Sequence, residues 1–403
     1  MSRDEINDPL LYPFADGQQL RLSPRYAELR QTPGLPRVRL PHGAPAWLVT
    51  RYEDARFVLT DRRFRARVPG QTPDTPRMTP DPPPPEGDIV QHTGAAHMRL
   101  RKVLAKAFTV RRVEALRSRT TGIVVELIDD MEQLGPPADL VAHFALPLPM
   151  SVLSELIGIP PEHHDQVMTW SGALLGRELT TVPPHQTAEH VAAFTDYLTN
   201  QIRHRRATAS GGVISELALA CTRGTLNARE AAVLALSLVR SGREATTVAL
   251  TNFVHLLSST RQWKRLVDDP ALVSTAVEEL LRFTPLSAGA LIPRCAVADA
   301  EVGGHLVRAG EFVIVPFTAA NWDETAFTDP GDLDLSRRRN SHIAFGFGPH
   351  RCIAAELSRM VLQVALTQLV ERMPELCVAV RTDELPWLTT GQFRGFARLP
   401  VSW

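Results

Sequence analysis

The sequence has little of several features that would have pointed elsewhere. Only four cysteines occur in 403 residues, Cys221, Cys295, Cys352 and Cys377. Their spacing matches neither a disulfide framework nor a zinc-type ligand set, so each is by default a small buried apolar residue. Net charge is absent, with 44 basic residues against 44 acidic ones, which removes any general attraction to nucleic acid or to an anionic membrane surface. No apolar run reaches the roughly 18 residues of a membrane span. The start, MSRDEINDPLLYPF, carries charges and prolines where a secretory leader needs an unbroken apolar core. A cytoplasmic protein with no nucleic-acid and no membrane partner is expected. No internal repeat is visible.

What is present is mostly helical periodicity. Residues Ala46 to Val49 are apolar and β-prone, and Tyr52 to Leu59 have helical spacing, so a strand feeds a short helix. The stretch over residues 70–90 is too rich in proline for helix or central strand, and a loop of that length inside a compact domain is ordinarily a lid or binding loop. From His97 to about Arg282 helical patterns dominate. The longest starts at Asn227, where Asn227 and Glu230 have the spacing of a capping box, and its length implies a buried central helix. Short β-like pieces return at ALIPRCAVADAEVGG, EFVIVPFTAAN and FARLPVSW. The expected fold is mainly α with small β-sheets, an α+β layout.

The most informative segment is Phe345-Gly-Phe-Gly-Pro-His-Arg-Cys352, which runs straight into the helical pattern IAAELSRMVLQVALTQLVERM. A cysteine just ahead of a helix faces first-turn N–H groups that favour an anionic sulfur, and Gly346 and Gly348 let the backbone approach a bulky planar group. His350 and Arg351 add donors beside it. An isolated loop of this kind would more often hold an ordinary thiol, but this one resembles the cysteine-ligand loop of the cytochrome P450 family, Phe-Gly-x-Gly-x-His-x-Cys-x-Gly. It matches at every defined position except the last, where Ala354 replaces glycine. The resemblance runs from WLVTRYEDARFVLTD to RGFARLPV. It implies one domain over residues 1–403, with the 70–90 loop facing substrate and the long helix over a haem b whose iron is held by Cys352.

Further residues follow from that resemblance. Glu279 and Arg282 match the family's Glu-x-x-Arg pair, joined by Arg337, in a structural role that braces the cysteine loop. His97 and Arg101 match its His-x-x-x-Arg helix; Arg294 and His342 are the other expected haem-carboxylate contacts, and Phe345, Gly346 and Arg351 line the cofactor. Two buried carboxylates need cationic partners, and arginine's planar fork suits them.

The sequence departs from the family in the central helix. Ser241-Gly-Arg-Glu-Ala-Thr246 aligns with Ala-Gly-x-Asp/Glu-Thr-Thr, so Glu244 is kept while Ala245 replaces the threonine of the proton relay, a positioned general-acid task. Three explanations stay open: a substrate hydroxyl or amine, a substitute such as Thr246, Ser241 or water, or chemistry without conventional oxygen insertion. Ser237, Ser241, Glu244 and Val248 share one helix face with Arg240 at its edge, so a polar substrate is expected to meet Arg240 or Arg243. Other expected walls are Met78, the segment holding Ala290 and Leu291, and Gln392 with Phe393.

The implied activity is that of a monooxygenase: an oxidoreductase that activates dioxygen and tailors a secondary-metabolite-like scaffold. Oxidative C–C or C–N coupling of aromatics, or haem-based binding and sensing without turnover, are the alternatives. No flavin or iron–sulfur motif is visible, so electrons are expected from a ferredoxin and its reductase, with Lys102, Lys106, Arg111, Arg112 and Arg351 as a candidate docking patch.

Overall fold

The computed structural model describes residues 8–14, 20–66, 74–79, 88–175, 179–180, 182–205, 212–287, 292–389 and 392–403. Most of the 70–90 loop, together with Ala290 and Leu291, lies outside them.

The helices in chain order are α1 (Arg25–Gln31), α2 (Tyr52–Thr60), α3 (Gly94–Ala105), α4 (Val110–Ala115), α5 (Arg117–Leu134), α6 (Pro147–Ile157), α7 (His164–Gly172), α8 (Thr187–His204), α9 (Val213–Thr222), α10 (Ala228–Ser259), α11 (Trp263–Asp268), α12 (Val273–Phe283), α13 (Phe317–Asn321) and α14 (Ala355–Arg372). The 32-residue α10 begins at the expected capping box. The Asn227 side chain accepts from the Glu230 N–H at 2.9 Å, and the Glu230 carboxylate accepts from the Asn227 N–H at 2.9 Å. From Ala231 to Leu257 the helix buries residues on nearly every side, as a central helix must when neighbours cover it all round. It packs on α6, α8 and α9, while α14 packs on α5 and α12. Among the described residues no helix is long and apolar enough to cross a membrane.

The strands are short: β1 (Leu10–Leu11), β2 (Arg37–Arg39), β3 (Ala46–Leu48), β4 (Phe64–Arg65), β5 (Ala138–Asp139), β6 (Arg294–Ala296), β7 (Ala300–Val302), β8 (His305–Val307), β9 (Phe312–Ile314), β10 (Cys377–Val378) and β11 (Pro400–Ser402). The largest sheet has the order β1-β2-β3-β9-β6-β4, with β3 and β9 parallel so that Ala46 faces Phe312. β6 runs antiparallel to β9 and sets Arg294 opposite Val313. The β-like reading of EFVIVPFTAAN holds only for its first half. Pro316 is the N-cap of α13, and a residue without an N–H cannot extend the ladder.

The helix α12 and residues 334–343 lead into the cysteine loop through buried polar contacts. Glu279 and Arg282 are both fully buried and paired twice, at 2.7 and 2.8 Å. Arg337 donates to the same carboxylate at 3.0 Å, Asn340 at 3.1 Å and the Asp334 N–H at 3.1 Å. Arg282 also donates to the carbonyls of Asn321 and Pro330, and the Asn321 side chain accepts from the Ile343 N–H at 2.8 Å. The network thus ties α12 and α13 to the segment that enters the cysteine loop, in the bracing position expected of it.

Candidate active site

The cysteine loop turns twice through positive φ, at Gly346 (73°) and Gly348 (71°). The packing supplies a reason for glycine of its own. A Cβ on Gly348 would sit 2.8 Å from the Leu59 carbonyl oxygen and from Thr60 of α2, so both conformation and the packed α2 terminus exclude a side chain. Ala354, by contrast, has φ −93°, so the departure from the family's glycine strains no backbone. The Cys352 N–H donates to the Phe345 carbonyl at 2.8 Å. Burial pushes the Cys352 thiol up, against the Ala354 N–H and the guanidinium groups of Arg101, Arg351 and Arg359. The helix end does not by itself make the thiolate; a bound metal's charge has to complete the deprotonation.

Four residues from three parts of the chain meet near this loop. His97 of α3 stacks on His350 with ring centroids 4.1 Å apart. Burial, then Arg294, His97 and Arg101, lowers His350 to about 3; burial, then Arg101 and Arg294, lowers His97 to about 4. Arg294 of β6 is buried, and its Nε has no hydrogen-bond partner. Burial alone lowers it to about 10. Neither Arg294 nor Arg101 has an ion-pair partner among the described residues.

His342 does not join this group. Its Nε2 lies 3.0 Å from Glu278 and its Nδ1 accepts the Ala344 N–H at 3.2 Å, so both ring nitrogens are used within the chain. Arg359 holds the same Glu278 at 2.8 Å. The histidine beside His97 is instead His350, two residues before the cysteine. Phe345 packs under Arg359 at 4.7 Å, and the exposed Arg351 lies 3.5 Å from Glu356.

On α10, several segments converge on the face of Ser237, Ser241, Ala245 and Val248. A Cβ on Gly395 would meet Val248 at 2.8 Å, and the Asn252 amide donates to the Arg394 carbonyl at 2.7 Å, which seats the C-terminal turn on the helix. Phe393 bridges Ser287, bringing two expected walls together, with Gln392 exposed beside them. Met78 instead packs on the apolar cluster of the largest sheet. Arg240 and Ser237 meet a carboxylate of the chain itself, Asp88, which the sequence reading had not picked out. Arg243 points to α7, donating to Ser171 at 2.7 Å and approaching the Met168 sulfur at 3.3 Å. Thr246 is buried and donates to the Gly242 carbonyl at 2.9 Å. Ser241 is exposed and donates to the Ser237 carbonyl at 2.5 Å. Glu244 is half-buried.

Known proteins decide the family. A cytochrome P450 family model matches residues 262–374. The nocardicin C N-oxygenase of Nocardia uniformis subsp. tsuyamanensis is 44% identical over 398 residues, 98% of this chain and 99% of that one. This chain belongs to the cytochrome P450 family. The mycinamicin IV hydroxylase/epoxidase of Micromonospora griseorubida is 42% identical over 399 residues, again 98% and 99% of the two chains. The solved structure of the mixed-function P450 MycG superposes with a TM-score of 0.93 at 41% identity, covering 98% of this chain and all of that one. The protein is therefore a P450-type monooxygenase or oxidase, and its family cofactor is haem b. The residues present fit that group: Arg294, whose buried Nε has no partner, lies with Arg101, His97 and His350 in a donor set that has no carboxylate among the described residues, and haem b carries two carboxylates.

Proposed function

We propose that this P450 takes electrons from a ferredoxin system and oxidises a secondary-metabolite scaffold bearing polar groups. The observation that carries the reading is the pairing of a half-buried cysteine in a twice-turned glycine loop with a nearby cationic cluster that has no counter-charge among the described residues. Cys352 would hold the iron, and His97, Arg101, Arg294 and His350 the two propionates. Haem b, when bound, supplies the reductive activation of dioxygen. The two named relatives, one for nocardicin C and one for mycinamicin IV, support a natural-product substrate, and those two compounds are the first to try.

The chain's own residues narrow the open question of the missing threonine. Both Thr246 and Ser241 donate their hydroxyls to helix carbonyls, but Thr246 is buried and poorly placed to meet water. Ser241, one turn before Ala245 on the same face, is exposed, and its oxygen can still accept from water. Ser241, with Glu244 beside it, is the proposed proton-delivery pair. Replacing Ser241 with alanine is expected to raise the peroxide released per electron consumed severalfold, and Ala245→Thr to reverse the rise. No change in peroxide for Ser241→Ala would remove Ser241 from the relay.

For the redox partner, Lys102, Lys106 and Arg111 are exposed and support docking of an acidic ferredoxin, while Arg112 is spent on Glu216 at 2.9 Å. The family reading itself is tested by the absorption spectrum of the reduced, carbon-monoxide-bound protein. A long-wavelength Soret band, lost in Cys352→Ser, is expected. A short-wavelength band in fully haem-loaded parent protein would overturn the thiolate assignment.

A further inference from the structure

Asp88 is the most deeply buried carboxylate at the α10 face, 1% exposed. One of its oxygens accepts from the Ser237 hydroxyl at 2.9 Å and from the Val90 N–H at 3.1 Å. The other accepts from Arg240 Nη2. Three donors, one of them a full cation, hold this carboxylate in place, so it cannot swing aside. Arg240 is less committed. A guanidinium carries five N–H donors, this one gives a single Nη to Asp88, and its side chain remains 34% exposed. Ser237, Arg240 and Ser241 lie within one turn of the same helix, so the free donors of Arg240 flank the face on which Val248 and the C-terminal turn converge.

The charge balance decides what those donors can hold. A buried guanidinium without a partner would prefer a carboxylate. With Asp88 in contact the pair is net neutral, and a second carboxylate on Arg240 would face the fixed Asp88 charge at short range. A neutral oxygen keeps the hydrogen bond and avoids that repulsion. Arg243 cannot take over the task, because its donors are aimed at Ser171 and Met168 of α7.

We propose that Arg240, fixed and neutralised by Asp88, is a specificity-determining anchor that holds a neutral carbonyl oxygen of the substrate, such as a ketone, ester or lactone, and turns away free carboxylates. The proposal rests on the reading that this face of α10 looks onto the haem. It is tested on the haem-loaded protein with iron-ligating probes, read by the red shift of the Soret band: 1-phenylimidazole and its meta and para derivatives carrying an acetyl or a carboxylate group. The parent protein is expected to bind the best acetyl probe about tenfold more tightly than its carboxylate counterpart. Arg240→Ala is expected to weaken the acetyl probe about tenfold, by loss of its hydrogen bond, while the affinity for 1-phenylimidazole is unchanged. Asp88→Asn, which keeps the shape and the Ser237 contact, is expected to tighten the carboxylate probe about tenfold, since Arg240 then carries an unmatched charge. Equal affinity of the parent for acetyl and carboxylate probes, or an undiminished acetyl affinity in Arg240→Ala, overturns the proposal. Arg240→Ala alone decides the matter if Asp88→Asn does not fold. Failure of 1-phenylimidazole itself to shift the parent's Soret band removes the haem reading instead, and the anchor with it.

Discussion

Two groups of charge are tied to the segment of the cysteine loop, and they are built in opposite ways. In the α12 brace, Glu279 accepts five hydrogen bonds from Arg282, Arg337, Asn340 and Asp334, so the fully buried Glu279 and Arg282 are paired within the chain. In the α3–β6 group, Arg101 and Arg294 sit with two histidines and have no carboxylate among the described residues. A folded chain bears unmatched buried charge only at a cost of several kcal/mol. Matched charge is therefore read as scaffold, and unmatched charge as a place where something else supplies the counter-ion.

The largest expected effect breaks the matched group. Glu279→Ala leaves Arg282 buried without its partner and should cost about 3–5 kcal/mol of stability, measured by urea unfolding of the haem-free chain. A variant as stable as its parent would show that the brace is not structural. The unmatched group should answer with the opposite sign. Arg294→Met in the haem-free chain should be neutral or stabilising by about 1 kcal/mol, yet haem transfer to excess apomyoglobin should become about tenfold faster. If the haem-free Arg294→Met protein were as weakened as Glu279→Ala, the distinction between the two groups would collapse.

A third effect concerns Glu278, the residue before Glu279 on α12. Burial alone would push its carboxyl up, but His342 and Arg359 outweigh that and bring it from 4.5 to about 2. A carboxylate lowered on folding adds stability that is full above the unfolded value and is lost as pH falls through 4.5 towards 2. Glu278→Gln should thus cost about 2 kcal/mol at neutral pH, and the gap to the parent should close over that acid range. A gap that stays constant with pH would mean that the side chain acts by shape rather than charge.

These cases also show how far the sequence could be read. The brace was legible because Glu279 and Arg282 are three residues apart on one helix, and because Arg337 stands at a recognisable distance from the cysteine. The cysteine loop was legible because its glycines, histidine and cysteine lie within eight residues. Which histidine has a free ring nitrogen could not be read without a third dimension. Both histidines precede the cysteine closely, and only the packed Glu278–Arg359 pair shows that the first is already satisfied. Arg240 and Arg243 likewise appeared equivalent as substrate contacts, and neither was expected to find its partner inside the chain.

Asp88 marks the limit most clearly. It lies 149 residues from Ser237 and 152 from Arg240, at the end of a proline-rich stretch with no periodicity to place it. What the sequence alone determined was the family, the helical content, the capped central helix and the cysteine that ends the glycine loop, since each is written in local spacing. What only the tertiary structure decided was which charges are matched, because an ion pair depends on the distance between groups that folding brings together and on the water that folding removes from around them.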